Sequence, residues 1–417
     1  MRVFKFGGAS VKDADGVKNV IKVLQKTGSA NLVVVVSAMG KMTNAFEKVV
    51  ALYLDKNPEF NKAISRIETY HKEITKQLFD NHQQPIFGVI DALFDDLRTT
   101  LDRNRSSRYD YVYDQVVSYG ELISTKIVSE YLIDQGYNNT WVDARDLIKT
   151  NDDYRDAEVD WETTQKCIIE KVDKKALSIT QGFISSNDDG FTTTLGREGS
   201  DYTAGILAYC LNADSVSIWK DVPGVLNADP RVFEKTQLLS QISYSEAIEL
   251  AFYGASVIHP KTLQPLQRKE IPLYVKSFLH PENDGTSVEK GQVLVPYIPC
   301  YIVKKNQILV SLSSLDFSFI VEDKIGEIFH LFHQHHIKVD LIQNSAISFS
   351  VCLDDKFNHF DTVFSQLKAR FKVVYNKDVS LYTIRHFTED AIRALEKNKD
   401  ILLKQLTRET YQMVARQ

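Results

Sequence analysis

Residues 1–37 read MRVFKFGGASVKDADGVKNVIKVLQKTGSANLVVVVS. Residues 3–6 predict a short strand, Gly7 and Gly8 a tight turn, and 11–25 an amphipathic helix with apolar side chains at helical spacing. The chain then enters LVVVVS at 32–37, an apolar run without polar alternation, which marks a strand covered on both faces. A strand, turn, helix and buried strand in that order predict an α/β fold around a mostly parallel central sheet. Lys5 puts a cation at the end of the first strand, beside amides that Gly7 and Gly8 leave accessible. The plainer alternative is a glycine turn with a lysine whose stem packs and whose head reaches water. Neither GxxxxGK[ST] nor GxGxxG occurs, so no Walker-type or dinucleotide site is supported.

Further along, 42–136 is helical by pattern, broken at Pro58 and Pro85 and by a polar stretch at 104–108. Glu121 lies within it among apolar residues, a poor place for an unpaired charge. Either it pairs with backbone or a lysine, or it awaits a cationic ligand. Strands are expected at 139–144 and 176–184, followed by TTTLGREGSDYTA at 192–204. Gly196 and Gly199 permit a tight turn there, and Ser200 or Asp201 can cap a helix over 202–211. Such a helix start suits an anion, and Arg197 adds a fork suited to a carboxylate. A capped helix with a solvated arginine is the other reading. A strand at 216–219 runs into KDVPGV and then Asp229-Pro230-Arg231, in the loop position where open α/β sheets bind ligands. A helix over 243–252 opens with Ser243 and Glu246 as a capping box, another follows at 260–267, and 272–278 closes the unit as a strand.

After residue 291 the pattern changes to a small βαββαβ unit: strand 308–312, helix 324–335, strands 339–342 and 347–353, helix 357–369 and strand 373–375. A second, abbreviated unit follows, with 379–385, a helix at 389–397 and strand-rich 401–415. His330, His333, His335 and His336 cluster there without carboxylate or thiol support, which reads as a solvated helix face and no metal site. The 417 residues are 43% hydrophobic and 25% charged with net charge −5, enough apolar material for two or three domains and no basic footprint for nucleic acid. No apolar run approaches the ~18 residues of a membrane span, and the start lacks a signal-peptide core. Cys167, Cys210, Cys300 and Cys352 are widely spaced with no CxxC pair, which reads as free thiols in a reducing, cytoplasmic setting.

Six stretches in order, KFGGAS, SYGELIST, QGF, LGREGSDYTA, WKDVPGVLNADPR and FYGASVIHP, resemble the aspartate kinases of the amino acid kinase family. The later region looks like that family's ACT module. The resemblance implies an amino acid kinase fold over 1–291, with the central sheet between helices. It also implies an α+β ACT-type regulatory region over 292–417. The implied reaction is ATP-dependent phosphorylation of the side-chain carboxylate of L-aspartate to 4-phospho-L-aspartate, the first step toward lysine, threonine and methionine. A carboxylate with a pKa of about 3.9 is already ionised, so positioning and charge neutralisation carry the chemistry without a general base.

On this resemblance Lys5 lies against the transferring phosphoryl group, Gly7 and Gly8 offer amides to the phosphates, and Asp201 orients Lys5. Arg197 meets the α-carboxylate and Glu121 the α-ammonium of aspartate, with Thr43, Phe183 and Ser200 lining the same pocket. Ser37, Asp221 and Arg231 fall on the nucleotide side, and Mg2+ bridges the phosphates largely through water. A homodimer or larger homo-oligomer through the ACT regions is expected. The chain departs from the family at Ala9, where Thr is usual. A phosphate-contacting lysine falls on Ser256, with Lys261 a possible substitute. The effector positions read Asp323-Lys324-Ile325 and Asn344-Ser345-Ala346, with Asp340 retained. Two further readings are a kinase for a related amino-acid carboxylate and a catalytically silent, amino-acid-sensing subunit. Glu121 argues against an acetylated acceptor, and the joint presence of Lys5, Glu121, Arg197 and Asp201 argues against silence.

Overall fold

The structure, a computed structural model, describes residues 1–80, 84–255, 258–316 and 318–416. It divides into two compact units: Met1–Val225 with Leu238–Ile248 and Val257–Val295, and Leu226–Gln237 with Glu249–Ser256 and Pro296–Gln417. In the first, strand Arg2–Phe6 sits between Leu32–Val36 and Ser215–Lys220, parallel to both. Leu177–Gln181 and Thr140–Val142 extend the parallel sheet on one side, and Leu273–Ser277 extends it on the other. Thr286–Glu289, Gln241–Ser243 and Leu294–Val295 complete nine strands with mixed pairing.

Leu32–Val36 is buried at every position, as its unbroken apolar run requires. Successive side chains point to opposite faces, so both faces need cover. Phe4, Phe6, Leu32, Val34 and Val36 join the core of a helical layer made by Met42–Leu54, Glu59–Leu78, Pro85–Arg103 and Tyr109–Asp134. Pro85 stands at a helix start, where its missing N–H costs nothing. Val3, Lys5, Val33 and Val35 point the other way, the side on which helix Gly199–Leu211 lies.

Two local expectations change. The strand anticipated over 176–184 stops at Gln181, because Phe183 takes a left-handed backbone with φ 73° and turns the chain. Ile184–Ser186 then pairs with Thr192–Thr194 in a separate two-stranded sheet. The helix anticipated at 202–211 begins at Gly199, and neither Ser200 nor Asp201 caps it. Glu198, at φ 54°, makes the turn into it, and Asp201 falls inside the first turn, where two lysines draw its carboxylate away from the helix amides.

The second unit is built on a six-stranded antiparallel sheet. Its centre is two 15-residue strands, Cys300–Ser314 and Phe371–Arg385, side by side. The segments read separately as 373–375 and 379–385 are one strand, continuous across a register shift near Gln307. With helices Glu322–Gln334 and Phe360–Lys368 and strands Lys338–Asn344 and Ser348–Asp354, one half makes the βαββαβ arrangement of an ACT-type fold. Helix Glu389–Glu396 packs in the other half, with strands Asp400–Leu406 and Thr410–Arg416. His333 and His336 are exposed. Among the described residues, no His, Cys, Asp and Glu group is arranged to hold a metal, and no helix is long and apolar enough to cross a membrane.

Phe94 is fully buried in the helical layer. Phe94→Ala should destabilise the first unit by about 3–5 kcal/mol through the cavity it leaves. The midpoint of urea unfolding checks this.

Candidate active site

Parallel strands Arg2–Phe6, Leu32–Val36, Leu177–Gln181 and Ser215–Lys220 deliver their carboxyl ends to one side of the first unit's sheet. Lys5 lies next to the end of one and Lys220 ends its neighbour. Both reach Asp201 on the first turn of helix Gly199–Leu211: Lys5 Nζ is 2.6 Å from Oδ1, and Lys220 Nζ is 3.5 Å from Oδ2. Burial opposes ionisation of Asp201, but Lys5 and then Lys220 outweigh it and hold the carboxyl below its usual range. Two cations thus converge on one buried carboxylate at the strand ends.

The loops after the first two strands are interlocked. Gly40 N–H donates to Gly8 O at 2.9 Å, and Ser37 N–H to Phe6 O at 3.1 Å. A Cβ on Gly8 would stand 2.7 Å from Ala38 O and 2.8 Å from Gly40 O, both backbone atoms, so only glycine fits without parting the loops.

Glu121 projects from the middle of helix Tyr109–Asp134 and is buried. Its Oε1 accepts from Ala38 N–H at 3.3 Å, while Oε2 has no hydrogen-bond partner. Burial pushes its carboxyl up to about 8, against the partial relief of the Ala38 amide. Of the two sequence alternatives for Glu121, pairing with backbone holds for one oxygen, and the other has no hydrogen-bond partner among the described residues. Arg197 is exposed on the turn before the helix and makes no hydrogen bond or ion pair with the described residues.

A cavity of about 490 Å³ brings these groups together: Lys5, Gly8, Ser37, Thr43, Glu121, Phe183, Arg197, Ser200 and Asp201 all line it. Gly7 adjoins it, since a Cβ there would lie 3.4 Å from Lys5 Nζ. Asp221 is exposed and outside the lining. Arg231 belongs to the second unit, where its Nη2 pairs with Asp229 Oδ2 at 2.7 Å. Lys261 is outside the lining, with its ammonium on Asp156. Ser256 lies outside the described residues.

Lys220, Arg155 and Tyr113 also line the cavity and were not singled out from sequence. Lys220 carried a legible signal, since it ends strand SVSIWK much as Lys5 nearly ends RVFKF. For Tyr113 and Arg155 no local pattern exists, because a helix face and a distant turn meet only in the fold.

Known proteins share this architecture. The amino acid kinase family matches residues 1–277. Lysine-sensitive aspartokinase 3 of Escherichia coli is 34% identical over 349 residues, covering 83% of this chain and 76% of that protein. A bifunctional aspartokinase/homoserine dehydrogenase of Buchnera aphidicola is 32% identical over 303 residues, and the match takes in 69% of this chain but only 36% of that longer protein. The solved structure of Escherichia coli aspartokinase III in complex with aspartate and ADP superposes with a TM-score of 0.82 at 29% identity, covering 100% of this chain and 96% of that one. A match over the whole parallel sheet, from the lysine-bearing first strand through Leu273–Ser277, means that this chain belongs to the amino acid kinase family.

Proposed function

We propose that the chain is an aspartate kinase, transferring the γ-phosphoryl group of ATP to the side-chain carboxylate of L-aspartate. The observation that carries this is the half-satisfied Glu121, buried in the same cavity as the Lys5–Asp201–Lys220 cluster. A buried carboxylate with one unmet oxygen calls for a donor, and an α-ammonium supplies both the hydrogen bond and the charge. Relatives named as aspartokinases, one solved with aspartate and ADP, support the same acceptor.

In this reading Arg197 forks onto the α-carboxylate and Glu121 takes the α-ammonium, with Thr43, Phe183 and Ser200 completing the acceptor pocket. Two fixed ends aim the side-chain carboxylate at the phosphoryl group. Lys5, steered by Asp201, offsets the charge of nucleophile and γ-phosphate, and Lys220 adds a second cation beside it. Gly7, Gly8 and Ser37 face the phosphates, and Asp221 serves the nucleotide side. Asp201 already engages two lysines, so a metal suits the phosphates better than the protein. Mg2+ would come with ATP and withdraw charge from the phosphate oxygens. Residues 1–291 act as the catalytic region and 292–417 as an ACT-type regulatory region, in a cytoplasmic homo-oligomer. The edge strand Lys338–Asn344, paired on one side only, suits such assembly.

With Mg-ATP and hydroxylamine, L-aspartate should yield aspartyl hydroxamate, and Lys5→Ala should lower kcat by about 100-fold or more while the chain stays folded. Absence of hydroxamate from the folded wild-type protein rejects the reading. Arg197→Ala should raise the aspartate KM by about 10- to 100-fold and leave that of ATP nearly unchanged. Equal effects on both substrates would remove its assigned role.

Glu121 adds a pH dependence. The unfolded chain releases this proton near 4.5, whereas the folded chain holds it to about 8. Its contribution to stability is therefore complete below about pH 4.5 and lost as pH rises through about 8. Pairing with an ammonium needs the carboxylate, so aspartate binding expels a proton in that window. Affinity should rise about tenfold per pH unit from about pH 6 and level off above about 8. Calorimetry in buffers of different ionisation enthalpy reads the released proton, and Glu121→Gln should lose the slope.

A further inference from the structure

Three non-glycine residues with left-handed backbone line the active-site cavity: Arg155 at φ 73°, Phe183 at φ 73° and Glu198 at φ 54°. Such conformations are disfavoured for residues with a Cβ and persist where the surroundings over-determine them. Phe183 and Glu198 frame the acceptor pocket and the turn carrying Arg197. Arg155 has no part in the function derived so far, and yet its turn is held by a buried carboxylate. Its N–H donates to Asp114 Oδ2 at 3.0 Å, and the same oxygen accepts from Thr194 N–H at 2.9 Å. Thr194 Oγ1 donates to Asp114 Oδ1 at 2.8 Å. Asp114 is fully buried and precedes Glu121 by seven residues, two turns along the same helix face. One carboxylate thus ties the Arg155 turn to the strand that leads into Arg197.

The two arginine-bearing turns abut. Gly196, with φ 77°, approaches so closely that a Cβ would lie 3.2 Å from Arg155 O and 2.3 Å from Asp156 Oδ1. The Arg155 guanidinium is spread over Tyr113, 4.4 Å from the ring centre, and over Tyr109 at 5.3 Å. Its contacts to Glu47 Oε1 and Asp110 Oδ1 are both 3.5 Å, long for charge-assisted hydrogen bonds, and both carboxylates are half-buried. The two rings lie against the guanidinium while its N–H groups make only long contacts to carboxylates.

We propose that Arg155 is a second guanidinium of the acceptor subsite, meeting the same α-carboxylate as Arg197 and making the pocket reject an uncharged group there. This rests on the aspartate kinase reading. A carboxylate has four lone-pair directions and can accept from two guanidinium groups at once, whereas a carboxamide turns N–H donors toward one of them. Two arginines therefore select for the free α-carboxylate more sharply than one.

Arg155→Gly tests this, because glycine takes the left-handed backbone without strain and removes only the side chain. The measurements are the KM of L-aspartate and of ATP, the preference for L-aspartate over its α-amide, and the Tm. The aspartate KM should rise about tenfold or more, the preference over the α-amide should fall by a similar factor, and the ATP KM should stay within about twofold. The Tm should be unchanged or higher. Arg155→Lys should recover part of the affinity but little of the preference, since an ammonium is a point charge rather than a planar fork. Wild-type KM and preference in Arg155→Gly overturn this inference alone. A lower Tm with equal losses for both substrates assigns Arg155 to bracing Glu47 and Asp110 and likewise overturns it. A folded wild-type protein with no aspartate-dependent turnover overturns the kinase reading and this inference together.

Discussion

The first unit is organised around the ion pair of Lys5 with Asp201. Lys5 lies in a strand flanked on both sides, and strand alternation sends its side chain to the face that helix Gly199–Leu211 covers. A lone ammonium there would be prohibitively desolvated, so the covering helix must carry a carboxylate at that level. Asp201 can do so only because the helix starts early, at Gly199, after the left-handed turn at Glu198. The same geometry brings in Lys220 from the next strand as a second ammonium on Asp201. Replacing the cluster with packed apolar side chains could stabilise the fold, but it would remove the charges that the strand ends present to the cavity.

Glu121 shows the complementary compromise. Helix Tyr109–Asp134 is buried along most of its length, and a carboxylate in its middle, held by one backbone amide, burdens the empty protein. Desolvation keeps it protonated at neutral pH, and an ammonium ligand reverses that preference. One carboxyl oxygen is therefore left with an unmet hydrogen bond in the cavity. Asp114, two turns earlier, faces the same side, but its oxygens are taken by Arg155 and Thr194, so it orders loops rather than ligand. Two buried carboxylates on one helix face thus differ in role because of what the neighbouring segments offer them.

The second unit solves a different problem, joining two half-sheets without an exposed seam. Strands Cys300–Ser314 and Phe371–Arg385 each serve both halves, and the irregular register near Gln307 absorbs the change of packing between them. Separate apolar clusters form on either side of that point.

The parallel sheet, the helical stretch with its breaks at Pro58 and Pro85, and Lys5, Glu121 and Arg197 as charges to watch, which the fold brings to one cavity, were legible in sequence. They depend on local periodicity, on glycine and proline chemistry, and on charges in apolar surroundings. The turn at Phe183, the early helix start at Glu198 and the merging of 373–375 with 379–385 were not legible. A left-handed non-glycine residue and a bulged strand are sustained by contacts from distant segments and leave no periodic mark. Arg155 belongs to the same class, since its place in the cavity follows from the meeting of two turns. The amino-acid sequence by itself determined which faces must be buried and which charges need partners. The tertiary structure decided which partner each charge finds, because strand alternation sets the side a residue faces, while only the packed neighbours set what it meets there.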